Sequence, residues 1–64
     1  MMNRPTTHDQ KVAMLRGASA HDVTRMWRTL VTDGTALARA QFSLAARDAG
    51  FEREAAREIW RRKP

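Results

Sequence analysis

A chain of 64 residues makes one small domain with a thin core, which excludes a multidomain enzyme. It has no cysteine, so disulfides, thiolate metal sites and a nucleophilic thiol are excluded together, leaving self-association as the expected support for so short a chain. Twelve Lys and Arg against seven Asp and Glu give a net charge of +5, and ten of the twelve are arginine. Arginine pairs bidentately with phosphate and with the guanine edge, so a polyanionic partner, nucleic acid above all, is expected. A GC-rich coding sequence would favour the same arginines and the eleven alanines.

Apolar residues come in short groups broken by charges, and no run is long enough to span a bilayer. Met1-Met2-Asn3-Arg4-Pro5 opens on no apolar stretch, which predicts a cytoplasmic protein of bacterial, plasmid or phage origin with no membrane partner. Residues 1–6 are expected to be a flexible tail and 7–64 a single helical domain.

Gly17, Gly34 and Gly50 each follow a stretch of helical character and read as helix stops in the left-handed conformation. The first helix is predicted from about His8 to Arg16, with Thr7 and Gln10 as a capping box and Val12 and Leu15 inward. The second starts from a Ser19/Asp22 box and carries Val23, Met26, Trp27, Leu30 and Val31 at core spacing. The third, capped by Thr35, turns Leu37, Ala40, Leu44 and Ala45 inward, with Phe42, Ala46 and Ala49 beside them. The fourth is predicted from about Glu52 to Arg62, with Ala55, Ala56 and Ile59 inward and Trp60 at the margin. Runs rich in Val, Ile, Thr and Tyr are absent, so the expected fold class is all-α, a small bundle of four short helices.

The last two helices are expected to form a helix-turn-helix. Counted from Phe42, the motif of about twenty residues asks for apolar, small and glycine positions that fall on Ala45, Ala46, Ala49, Gly50, Phe51, Ala56 and Ile59, and all are satisfied. On a fourth helix Arg53, Arg57 and Arg61 would form one outward stripe. Arg53 and Arg57 would reach base edges, while Arg61, Arg62 and Lys63 would hold phosphates. Glu54 and Glu58 lie beside that stripe and can pair with Arg57, Arg61 and Arg62, as on an ordinary solvated helix.

The stretch TLVTDG (Thr29 to Gly34), an Ala-rich helix, a glycine turn and a segment ending REIW (Arg57 to Trp60) resemble the plasmid KorA/TrfB-type transcriptional repressors over about residues 22–60. That resemblance implies a helix-turn-helix whose second helix ends at the tryptophan. It would put Arg53, Glu54 and Arg57 on the reading face and Arg47 and Thr35 near the backbone. AARDAGFEREAAREIWRR also resembles the short AraC-negative-regulator and PerC-like proteins, which implies protein contacts. AGFEREAA is similar to part of ubiquitin-associated domains.

The function expected is a small sequence-specific DNA-binding transcriptional regulator, a repressor, laying its C-terminal helix in the major groove as a homodimer. Its DNA-binding residues would be Arg47, Arg53, Glu54, Arg57, Arg61, Arg62 and Lys63. Met14, Phe42 and Trp60 are the expected dimer contacts. The alternative is a small basic helical protein that binds and modulates another protein without touching DNA. His8 and His21 stand beside aspartates at helix starts, and Ser19 and Ser43 lack a paired base. No enzymatic activity, cofactor or metal is therefore expected.

Overall fold

The computed structural model describes residues 6–64. Three helices, α1 (Thr7–Arg16), α2 (Ala20–Asp33) and α3 (Ala36–Asp48), precede an antiparallel hairpin of β1 (Phe51–Glu54) and β2 (Ile59–Arg62). The fold is therefore mostly helical but not an all-α four-helix bundle, and the expected fourth helix and helix-turn-helix do not form.

Each helix starts where a hydroxyl satisfies an otherwise unpaired N–H. Ser19 Oγ accepts from the Asp22 N–H at 3.1 Å, the cap without the return bond of the expected box, and Thr35 Oγ1 accepts from the Ala38 N–H at 3.0 Å, as expected. In α1 the box is shifted by one residue. Thr6 Oγ1 accepts from the Asp9 N–H at 3.0 Å and Asp9 accepts from the Thr6 N–H at 3.2 Å, in place of Thr7 and Gln10. That backbone bond, followed by the one from the Thr6 hydroxyl, holds the Asp9 carboxyl below its ordinary value.

Gly17 and Gly34 cap α1 and α2, Gly50 follows the Ala49 cap of α3, and the three glycines have three conformations. Gly50 has φ +95°, the left-handed geometry that turns the chain from α3 into β1. Gly34 is extended, and its need for glycine is space, because a Cβ there would lie 2.7 Å from the Leu30 carbonyl oxygen. Gly17 is right-handed, so the expected left-handed stop holds for Gly50 alone among the described glycines.

The hairpin forms because two large aromatics need the same core. Phe51 and Trp60 are nine positions apart, which on a helix would set them about 180° apart, facing opposite ways. In the observed register Phe51 pairs with Arg62 and Arg53 with Trp60, so both rings lie on one face of the hairpin. Phe51 is fully buried and Trp60 is 1% exposed. This burial outweighs the helical propensity of the alanines, glutamates and arginines between them, which is worth a few tenths of a kcal/mol per residue. Ala55 and Ala56, expected inward on a helix, are exposed in the connecting turn.

The core joins Val12 and Leu15 of α1, Val23 and Trp27 of α2, Phe42, Ala45 and Ala46 of α3 with Ala49 just after it, and the two hairpin aromatics. Trp27 and Trp60 meet edge to face at 5.7 Å between centroids, and Phe42 lies 5.9 Å and 6.2 Å from them. Thr24 fastens β2 to α2 by accepting from the Trp60 N–H at 2.9 Å and donating to its carbonyl at 3.2 Å. Met26 and Leu30 are half-buried as expected of their stripe, but Val31, Leu37 and Leu44 are exposed. α3 meets the core through Phe42, Ala45, Ala46 and Ala49, which turns its leucines outward. Phe42 and Trp60, expected at a dimer interface, are core residues, while Met14 is exposed.

The turn offers a direct check on hairpin against helix. Glu58 N–H bonds to the Ala55 carbonyl at 3.3 Å, which makes Ala56 the second residue of a four-residue turn, where proline is favoured. Ala56→Pro should change the stability by less than about 1 kcal/mol, whereas proline inside a helix costs about 3 kcal/mol. Urea denaturation of the two proteins separates these values.

Candidate nucleic-acid interface

Alternation along two strands, rather than a turn of 100° per residue, decides where the C-terminal arginines go. Arg53 and Arg62 share the inner face with Phe51 and Trp60 and lie at its rims. The Arg53 guanidinium sits 5.4 Å from the Trp27 ring centroid and donates to Glu58 at 3.1 Å. Arg62 lies 4.7 Å from the Phe51 ring and donates to the carbonyls of Arg16 and Ala18 at 3.1 and 2.8 Å, closing the C-terminal end of α1.

The outer face carries Glu52, Glu54 and Arg61, with Arg57 in the turn. Arg57 holds Glu54 with two bonds, 3.0 and 2.8 Å, and Arg61 donates to Glu52 at 3.2 Å and lies 3.7 Å from Glu54. Arg53, Glu54, Arg57 and Arg61 are thus brought onto one hairpin, but within an ion-pair network rather than a free stripe. Glu58, at φ +53°, completes it by accepting from the Trp27 indole N–H at 2.8 Å as well as from Arg53. Arg47 and Lys63 lie apart from this network. Both are exposed and flank Gly50, whose N–H bonds to the Arg47 carbonyl and whose carbonyl accepts from the Lys63 N–H.

The hydrogen bonds from Arg57, with the positive charges of Arg57 and Arg61 adding to them, hold the Glu54 carboxyl below the ordinary value of 4.5. Arg57 is correspondingly raised. Because the folded-state value is the lower one, the contribution of this pair to folding is present above pH 4.5 and is lost as pH falls through the lower, folded value. Carboxyl NMR titration should place the Glu54 midpoint below 4.5 in the parent and closer to 4.5 in Arg57→Ala.

The cationic surface that the hairpin does not supply lies on α2. Its apolar stripe leaves His21, Arg25, Arg28 and Thr32 at i, i+4, i+7 and i+11, one straight row about 16 Å long and all exposed. No carboxylate among the described residues pairs with Arg25 or Arg28. Arg28 donates to the Arg57 carbonyl at 3.4 Å, which draws the hairpin turn beside the row. A shallow groove of about 520 Å³, lined by Ala18, Asp22, Arg25, Met26, Arg28 and Thr29, runs along it. Sequence reasoning missed this face, although the signal was present in the residues opposite the Val23, Met26, Trp27 and Leu30 stripe.

No family model, curated protein or solved structure matches the chain. Among the described residues no helix is long and apolar enough to cross a membrane, and no group of three or more His, Asp or Glu could hold a metal ion.

Proposed function

We propose that this chain is a small DNA-binding regulatory protein of the cytoplasm that sets the α2 row against the sugar-phosphate backbone of a duplex. The observation that carries the reading is the alignment of Arg25 and Arg28, both exposed and free of any carboxylate partner among the described residues, beside the arginine-bearing hairpin turn. Side chains three apart on a helix lie about 5–6 Å apart, so two guanidinia can hold neighbouring phosphates of one strand. The net charge of +5 draws a polyanion toward this face. Contacts of this type fix position and register, and sequence choice comes from groups reaching the grooves, for which the hairpin turn with Arg57 is best placed.

The test is fluorescence anisotropy of a labelled random-sequence duplex titrated with the protein at low salt and again near 0.2 M. Binding that weakens steeply with salt supports the reading. No binding at low salt overturns it and leaves the alternative, in which the row meets an acidic surface on another protein.

A further inference from the structure

A cleft of about 360 Å³ opens where α1 and α2 both rest on α3. Met14 and Leu15 of α1 form one wall, Met26 and Leu30 of α2 the other, and Phe42 the floor, with Ala38 of α3 too small to fill the space between them. Its size and apolar lining are those of a small-molecule site. A cavity of about 150 Å³ holds one six-membered aromatic ring, so this cleft has room for about two. Thioether sulfur meets aromatic rings favourably and the unbranched methionine chain adapts to what enters, and here methionines stand on opposite walls above the Phe42 ring.

One charge borders this lining. Lys11 is half-buried, is the sole ionisable side chain of the cleft wall, and takes part in no ion pair among the described residues. It marks the α1–α3 end, where it also borders a smaller hollow with Thr7, His8 and Gln41. The aspartates of the three helices are engaged elsewhere. Asp9 accepts from the Thr6 N–H at 3.2 Å, and Asp48 is held by His8 at 2.7 Å. Asp22 lines the neighbouring groove with Arg25, and Asp33 ends α2 where the Arg39 guanidinium donates to the Leu30 and Gly34 carbonyls. The Thr29 hydroxyl, also on the wall, donates to the Arg25 carbonyl at 3.2 Å, which leaves Lys11 as the donor of the lining.

We propose that this cleft binds a small aromatic monocarboxylate, its ring body between Met14 and Met26 over Phe42 and its carboxylate on the Lys11 ammonium. Charge selects the ligand. A neutral apolar body leaves the half-buried cation without an anion, a cationic one is repelled, and a dianion brings more charge into an apolar cleft than one lysine can match. The site is separate from the α2 row, so its test uses no DNA.

In methyl NMR spectra of the parent titrated with naphthoate, the Met14 and Met26 methyl signals should shift together with a Kd on the order of 0.1–1 mM. Lys11→Leu should keep the parent's helical circular dichroism, bind naphthoate about three- to tenfold more weakly and bind the neutral isostere naphthamide within about twofold of the parent. Arg25→Ala/Arg28→Ala should bind naphthoate as the parent does, since those guanidinia line the neighbouring groove. The proposal is overturned by any of three results: both methyls unmoved by naphthoate up to about 3 mM, naphthamide binding the parent as tightly as naphthoate, or binding that the arginine double variant loses and Lys11→Leu keeps. Sedimentation equilibrium of the parent with and without naphthoate should give the same mass. A parent dimer that dissociates as naphthoate enters would put a second copy in the cleft and overturns the proposal as well.

Discussion

Trp60→Ala is expected to remove most of the stability of the fold. The side chain is 1% exposed, touches Trp27 and Phe42, and belongs to the residue whose backbone is clasped on both sides by Thr24. Truncating a buried tryptophan costs about 3–5 kcal/mol, and a domain of this length has on the order of 3–10 kcal/mol in all. The thermal midpoint should therefore fall by at least about 15 °C, with the hairpin loosened from α2 because this is the largest buried side chain between them. Trp60→Phe is the informative companion. It keeps a ring in the cluster and removes an indole N–H that has no acceptor among the described residues, so its cost should stay below about 2 kcal/mol. Leu37→Ala, at an exposed site, should change the midpoint by little. Circular dichroism melts of the three variants check this order, and a Trp60→Ala midpoint within a few degrees of the parent would mean that the hairpin is not packed on α2.

The same residue explains which parts of the structure could be read from the sequence. The caps at Ser19 and Thr35 are local, a hydroxyl reaching an N–H three residues on, and they stand where the residues imply. The shift from Thr7 to Thr6 arises because two threonines in a row each have a polar residue three positions later, Asp9 or Gln10, and the carboxylate is the stronger acceptor. Ala45, Ala46, Ala49, Gly50 and Phe51 satisfy the helix-turn-helix pattern because close packing and a sharp turn are what those positions demand. A strand leaving Gly50 meets the same demands as a helix would. Residues 52–62 have helical composition and helical charge spacing, and nothing local contradicts them. What overrides that preference is non-local, the need to put Phe51 and Trp60 on one face against α2 and α3. Glu54 and Arg57 pair in either conformation, so their spacing could not discriminate. The basic row on α2 follows from the apolar stripe by subtraction and was legible throughout.

Arg25→Ala/Arg28→Ala is expected to produce the largest functional loss. A phosphate contact adds about −0.9 to the slope of log affinity against log salt, so removing two should flatten the slope by about 2. Taking the electrostatic contribution as vanishing near 1 M, two contacts are worth about sixtyfold at about 0.1 M salt and about twentyfold at about 0.2 M. Both side chains are exposed and the one tertiary bond lost is the long one from Arg28 to the Arg57 carbonyl at 3.4 Å, so the melt should move by no more than a few degrees and the loss can be assigned to the interface. Arg53→Ala is the contrasting variant. That arginine lies over Trp27 and donates to Glu58, so removing it should lower the melting midpoint by a few degrees while leaving the salt slope almost unchanged. Arg57→Ala falls between them, because it breaks the pair with Glu54 and removes one exposed positive charge from the turn whose backbone carbonyl Arg28 holds. Anisotropy titrations of the three variants at two salt concentrations, each paired with a melt, place every arginine on one side or the other. A slope that changes with Arg53→Ala and not with the α2 double variant would move the interface from the helix to the hairpin.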